Sequence, residues 1–235
     1  MALILNIETA TSVCSVALSC DGLILSSKES NEQNSHSSLI TIFIEQVLKE
    51  SEINIENIDT VAISKGPGSY TGLRIGVSTA KGLCYALDKP LISIGTLQSM
   101  AFGLLKYPEI QELKQNILFC PMIDARRMEV YAAIYDTSNV EVREVRAEII
   151  DENSFSEYLQ NSKVVFFGDG ANKCKETLSG HPNAIFIDNV LASSLNMAEL
   201  AEQKYLNSQF EDLAYFEPFY LKDFIAGKPK VKGLH

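Results

Sequence analysis

The stretch Lys65-Gly66-Pro67-Gly68-Ser69-Tyr70-Thr71-Gly72-Leu73-Arg74-Ile75-Gly76 decides how this chain is read. It places four glycines, a proline and one arginine between a β-type run at 59–65 and a helical run that continues to about residue 87. Glycine inside a helix costs about 1 kcal/mol relative to alanine. A helix carrying Gly72, Gly76 and Gly82 therefore needs something close to its backbone: a phosphate, its own sheet or another protein.

Upstream, 2–8 is an apolar β-type run and 13–19 alternates, with Asp21 and Gly22 turning the chain into 23–29. An Asp-Gly pair between two strand-like runs predicts a hairpin. A helix follows over 37–50, with the serines among 35–38 available to cap it. Downstream, Pro90 ends the helix, 91–94 reads as a strand, and Thr96 can cap a helix to about Lys106.

The second half restarts with a strand over 117–123 that ends at Asp124. Strands at 129–135 and 140–150, joined by a turn at 136–139, lead to a helix near 153–161 and a strand at 163–167. The turn Gly168-Asp169-Gly170, a helix near 171–179 and a last helix over about 194–207 complete the half. Both halves run strand, acidic residue, strand, strand, helix, strand, glycine turn, helix, with Glu8 and Asp124 in equivalent places. Such a topological repeat of mixed strands and interleaved helices predicts an α/β fold in two lobes. The expected division is 1–106 and 107–224, with the final helix able to pack back on the first lobe and 225–235 as a frayed tail.

With 46% hydrophobic and 21% charged residues, the chain can bury a substantial core. Its net charge of −10 argues against binding nucleic acid unaided, which requires clustered Lys and Arg. Five cysteines without a CxxC spacing read as free thiols in a reducing cytoplasm. The N-terminal run, interrupted by Asn6 and Glu8, reads as a strand rather than a signal peptide. No apolar run approaches the roughly 18 residues of a membrane span.

Known chemistry motifs largely fail. GxxxxGK[ST] is absent, and GxGxxG needs a third glycine where Thr71 stands, with Gly72 one residue late. A degenerate anion site on the glycine stretch stays open. The three histidines, His36, His181 and His235, form no ligand pair; Ile40 stands four residues after His36. Glu8 and Asp124 could hold a metal–nucleotide or act as a base, or could simply accept turn hydrogen bonds. GxSxG is missing.

Two helices carry more apolar surface than one sheet can cover. In 37–50, Leu39, Ile40, Ile42, Phe43, Ile44, Val47 and Leu48 extend well beyond a single stripe. The row Gly72, Gly76, Ala80 lets a second helix approach closely, or lets this helix sit tightly on its own sheet; a protein interface is the favoured reading.

The segments GPGSYTGLRIG, ILNIETATSVCSVAL, SHSSL, MIDARRMEVYAAIY, GDGA and EPFYLKD together resemble the bacterial TsaB (YeaZ) family, in the family's order. Small departures are Tyr70 for a common Phe, Met128 where Gly often follows the arginine, and Lys222 for a usual Arg; 138–160 and the residues after Phe224 carry little resemblance. The resemblance implies two tandem ribonuclease H-like, actin-like (ASKHA) lobes. It implies a non-catalytic scaffold in the synthesis of threonylcarbamoyladenosine in tRNA, which activates the sister subunit TsaD. TsaD transfers the threonylcarbamoyl group from an adenylate to adenosine next to the anticodon, and holds a metal through a histidine pair. Here only His36 aligns with that pair. No cofactor is therefore expected on this chain; ATP and metal belong to partner subunits. The ATPase TsaE is a further expected partner, tRNA is met only through the complex, and the location is cytoplasmic.

Carried over from the family, the pairing surface is Leu39, Ile42, Phe43, Gln46 and Val47 with Gly72, Ile75, Gly76 and Thr79, and the isolated chain would form a homodimer through it. Gly76→Arg is expected to break pairing and leave the fold intact if the row faces a partner, and to unfold the chain if the row packs on its own sheet. A vestigial nucleotide site between the lobes would draw on Glu8, Thr9, Asp124, Gly168 and Gly170. An ATP-dependent phosphotransferase of the same class and a metalloprotease-like relative are the alternatives.

Overall fold

Alternation in β1 (Leu3–Glu8) sends Leu5 and Ile7 to one face of a sheet and Ile4 to the other, and all three are fully buried. A sheet with both faces buried must be covered twice, and this requirement organises the chain. The computed structural model describes residues 2–32, 36–113 and 116–222. Ser35, expected among the capping serines, and the 225–235 tail lie outside the described residues.

β2 (Cys14–Cys20) and β3 (Leu23–Ser30) form the expected hairpin, with Asp21 at φ 51° and Gly22 at φ 75° in its turn. Positive φ at both central residues matches the twist of paired strands. α1 (His36–Glu50) leads to β4 (Thr60–Gly66), which pairs parallel to β1; α2 (Tyr70–Leu87) leads to β5 (Leu91–Gly95), parallel to β4. Ser69 caps α2 by accepting the Gly72 N–H at 3.3 Å. The sheet order is β3-β2-β1-β4-β5.

After α3 (Thr96–Leu104) and the short α4 (Pro108–Gln111) the pattern repeats. β6 (Ile117–Asp124), β7 (Glu129–Tyr135), β8 (Glu141–Ile149), α5 (Ser156–Leu159), β9 (Lys163–Phe167), α6 (Ala171–Leu178) and β10 (Ala184–Ile187) build a sheet of order β8-β7-β6-β9-β10. β6 is antiparallel to β7 and parallel to β9, as β1 is to β2 and β4. The fold is α/β, with two tandem ribonuclease H-like, actin-like sheets.

The helices that cover these sheets are partly exchanged between the two halves. α1 and α2 close one face of the first sheet, with Ile40, Ile44, Val47, Val77 and Ala80 against Leu5, Val16 and Ile63. Its other face is closed by Met197, Leu200 and Ala201, the last two on α7 (Ala198–Leu206) near the end of the chain. Reciprocally, α3 places Leu97, Met100 and Leu104 against Ile117, Phe119 and Phe167 of the second sheet.

Four local expectations are revised. Thr96 is the first helical residue of α3 rather than its cap; Gly95 holds that position and the Thr96 hydroxyl is buried without a partner. The helix near 153–161 shortens to α5, because Asp151 and Ser154 close a turn upstream and Phe155 sits at φ 61°. The last helix begins with a 3₁₀ turn, Ser194–Asn196, before α7. β10 was not expected: four residues are too few to show a period.

Candidate functional site

α1 presents Ser37, Ser38, Ile42 and Gln46 outward, with Leu39 and Phe43 half-buried beside them; Ile42 is 45% exposed. On α2, Thr71, Arg74 and Ser78 are exposed, with Ile75 and Thr79 half-buried between them. Leu39, Phe43 and Ile75 all pack partly against the core below. Six of the nine expected interface residues, Leu39, Ile42, Phe43, Gln46, Ile75 and Thr79, are thus at least partly accessible on two adjoining helices.

The other three point inward, which corrects the expectation. Val47 is fully buried. A Cβ at Gly72 would lie 2.1 Å from the Thr9 carbonyl oxygen, and one at Gly76 2.2 Å from Thr9 Oγ1 and 3.0 Å from Ile63 Cδ1. Gly68 is held in the same way, its Cβ position being 2.2 Å from the Ala10 carbonyl oxygen. With buried Ala80, the small-residue row seats α2 on its own sheet and on the β1–β2 turn. Sequence spacing specified a close approach but not which surface makes it.

The same seating brings the start of α2 onto the β1–β2 turn. The Ser69 N–H donates to the Ala10 carbonyl at 2.6 Å, the Gly72 N–H to Ser69 Oγ, and the Leu73 N–H to the Ser69 carbonyl. Ser69 and Gly72, two of the N–H donors around this helix start, are thus bonded inside the chain. Glu8 is wholly buried; its Oε1 accepts the Ala10 N–H at 2.7 Å and its Oε2 has no partner. Thr9 Oγ1 is likewise buried and unpartnered.

The remaining residues of the expected nucleotide site serve the second sheet. Asp124 is exposed; its Oδ1 accepts from Lys173 Nζ at 2.5 Å and from the Arg126 N–H at 2.7 Å. A Cβ at Gly168 would lie 2.3 Å from the Met122 carbonyl oxygen, and one at Gly170 2.8 Å from the Ile123 carbonyl carbon. The hydrogen bonds of Glu8 are to residues of the first sheet and its turns, and those of Asp124 to residues of the second. His36 is buried with Nε2 3.0 Å from the Thr11 carbonyl, tying the start of α1 to the β1–β2 turn. Among the described residues, no group of three or more His, Cys, Asp or Glu could hold a metal ion.

Burial pushes the Glu8 carboxyl up to about 7, opposed by its hydrogen bonds to Ala10, Ser64 and Thr9. Its ordinary value in the unfolded chain is 4.5. A raised carboxyl stabilises the fold fully below the unfolded value and loses that contribution as pH rises through the folded value. Relative to wild type, Glu8→Gln is expected to gain stability on the order of a few kcal/mol between pH 5 and pH 8. Urea denaturation of both proteins at the two pH values reads this difference, and a constant difference would show that Glu8 does not titrate in this window.

A feature missed in the sequence is a strap formed by 207–222. Glu211 bridges to Leu91 at the β5 edge, Lys81 Nζ donates to the carbonyls of Ala214 and Phe216, and the Phe219 N–H donates to the Lys65 carbonyl at 2.7 Å. Tyr220 packs against Tyr70 with ring centres 4.9 Å apart and planes tilted by 37°, and Arg74 lies over the Tyr70 ring. Lys222 then crosses to the second sheet, pairing with Glu129 and facing the Tyr131 ring. The aromatic run in EPFYLKD was its one signal in the sequence.

Fold and site together define the class: a two-lobed, actin-like protein whose glycine-rich helix start is seated on its own β1–β2 turn and whose first lobe carries an accessible helix pair with Ile42 exposed between half-buried Leu39, Phe43 and Ile75. A family model described as TsaD, tRNA N6-adenosine threonylcarbamoyltransferase, matches residues 24–229. The tRNA threonylcarbamoyladenosine biosynthesis protein TsaB of Haemophilus influenzae is 31% identical, covering 96% of this chain and 95% of that protein. The Escherichia coli TsaB is 29% identical, covering 96% of each. YeaZ from Pseudomonas aeruginosa superposes with a TM-score of 0.79 at 22% identity, over 94% of this chain and all of that one. The chain belongs to the TsaB family.

Proposed function

We propose that this chain is a non-catalytic, activating subunit in the synthesis of threonylcarbamoyladenosine in tRNA, pairing through the α1–α2 face with a TsaD-type transferase. The observation that carries the reading is the accessible α1–α2 face, where Ile42 is exposed and Leu39, Phe43 and Ile75 are half-buried beside it, on a lobe whose glycine-rich helix start is seated on its own β1–β2 turn. Such a face suits a partner surface, and the inward seating of the glycines supports assigning nucleotide chemistry to other subunits. Similarity to the transferase family model supports a partner of related fold, so that two homologous lobes would meet through equivalent helices. When no partner is present, a second copy covers the same face.

ATP and metal are assigned to the partner subunits, with a TsaE-type ATPase as the third component and tRNA engaged by the assembly. No helix of the described residues is long and apolar enough to cross a membrane; the proposed role in tRNA modification places the chain in the cytoplasm. The test is reconstitution: transferase, ATPase, ATP, threonylcarbamoyl donor and tRNA are combined with and without this chain. Modification is expected only with it, and full modification in its absence would overturn the proposal. Calorimetry separates the phosphotransferase reading, which requires micromolar nucleotide binding by the chain alone.

A further inference from the structure

The turn between β6 and β7 holds two consecutive arginines in the left-handed region, Arg126 at φ 69° and Arg127 at φ 50°. Residues other than glycine, asparagine and aspartate seldom occupy that region, and two in succession persist only where surrounding contacts impose them. Those contacts are present. The Arg126 N–H donates to Asp124 Oδ1, the Glu129 N–H to the Arg126 carbonyl at 3.1 Å, and Lys173 Nζ to the Arg127 carbonyl at 3.0 Å. The backbone of the turn is braced while both side chains are exposed.

Neither guanidinium has a hydrogen bond, ion pair or ring contact among the described residues. Around the turn, Asp124 pairs with Lys173 and Glu129 with Lys222, while Asp169 accepts the Asp124 N–H. Two exposed arginines without a direct partner among the described residues thus occupy consecutive positions of a chain whose net charge is −10. Adjacent guanidinium forks suit the oxygens of phosphates.

We propose that Arg126 and Arg127 form a contact for the phosphodiester backbone of the RNA on which the assembly acts. This rests on the reading in Proposed function, since the acidic chain alone has too little positive surface to hold a polynucleotide. A protein partner fits the tip less well. Beside the arginines the exposed apolar residues are Met128 and, across the ladder from Glu129, Ile149, a small area for the core of a protein interface.

Two double variants test the contact in the full reconstituted assembly: Arg126→Glu with Arg127→Glu, and Arg126→Gly with Arg127→Gly. Both are expected to raise KM for tRNA about tenfold while kcat stays within about twofold. The slope of log affinity against log salt is expected to fall by about two for two lost phosphate contacts. Glycine suits the left-handed backbone, so the glycine pair is also expected to raise the urea midpoint of the chain. Wild-type KM and salt slope in both variants, with the transferase still co-eluting, would overturn the contact. Loss of co-elution would overturn it too, by making the tip a protein interface. If the wild-type chain does not stimulate modification in the same assay, the assignment to the assembly fails before any variant is compared.

Discussion

Gly72→Ala is expected to destabilise the chain by about 3 kcal/mol or more, at the upper end of the cost of overpacking. The added methyl would sit 2.1 Å from the Thr9 carbonyl oxygen, a backbone atom that cannot rotate aside. Relief requires moving α2 off the β1–β2 turn, which would break the Ser69 to Ala10 hydrogen bond and open the core around Val77 and Ala80. The urea midpoint should fall by roughly 1 M or more. Gly76→Arg, expected from the sequence to spare the fold if the row faced a partner, is now expected to unfold it, because Thr9 Oγ1 and Ile63 Cδ1 stand at 2.2 and 3.0 Å. Gly82, in the same helix, supplies the control. A Cβ there meets nothing within 4 Å, so Gly82→Ala should stabilise by about 0.5–1 kcal/mol through helix propensity. Equal effects at Gly72 and Gly82 would show that the seating of α2 does not matter.

Ile42→Asp is expected to weaken transferase binding about 100-fold while barely changing stability. Ile42 is 45% exposed at the centre of the α1 face, flanked by Leu39, Phe43 and Gln46. A charge placed among apolar anchors at an interface core loses the contact and leaves a desolvated carboxylate, together worth about 2.7 kcal/mol for a 100-fold change. The fold should lose less than about 0.5 kcal/mol, because the side chain is already partly in water. Val47→Ala should behave in the opposite way, costing fold stability because Val47 is fully buried, without a specific loss of affinity. Titration calorimetry or co-elution reads the binding, and light scattering of the isolated variant should show a monomer. Unchanged affinity of Ile42→Asp would remove the α1–α2 face from the contact.

Much of the fold was legible in the chain. The Asp21-Gly22 hairpin, β4 beside the glycine stretch, β9 and the repeat of strand order all appear from periodicity and turn chemistry alone. What escaped notice was short or distant. β10 has four residues, and the strap is an extended segment without a period, held by contacts to Lys65, Lys81 and Leu91. The candidate interface was legible as an excess of apolar residues on 37–50, but not residue by residue: Ile42 and Val47 read alike in the sequence and differ completely in burial.

That α2 begins at the glycine stretch, that it carries a row of small residues, and that some surface must approach that row can all be read from the residues alone. These properties follow from backbone conformation and side-chain size within a dozen neighbouring residues. That the surface is the turn around Thr9 and Ala10, so that glycines suited to a phosphate or a partner instead seat α2 on its own sheet, emerges from the folded packing. The deciding contacts join residues far apart in the chain, and their geometry is set by how the helices and the sheet pack together, which no local pattern encodes.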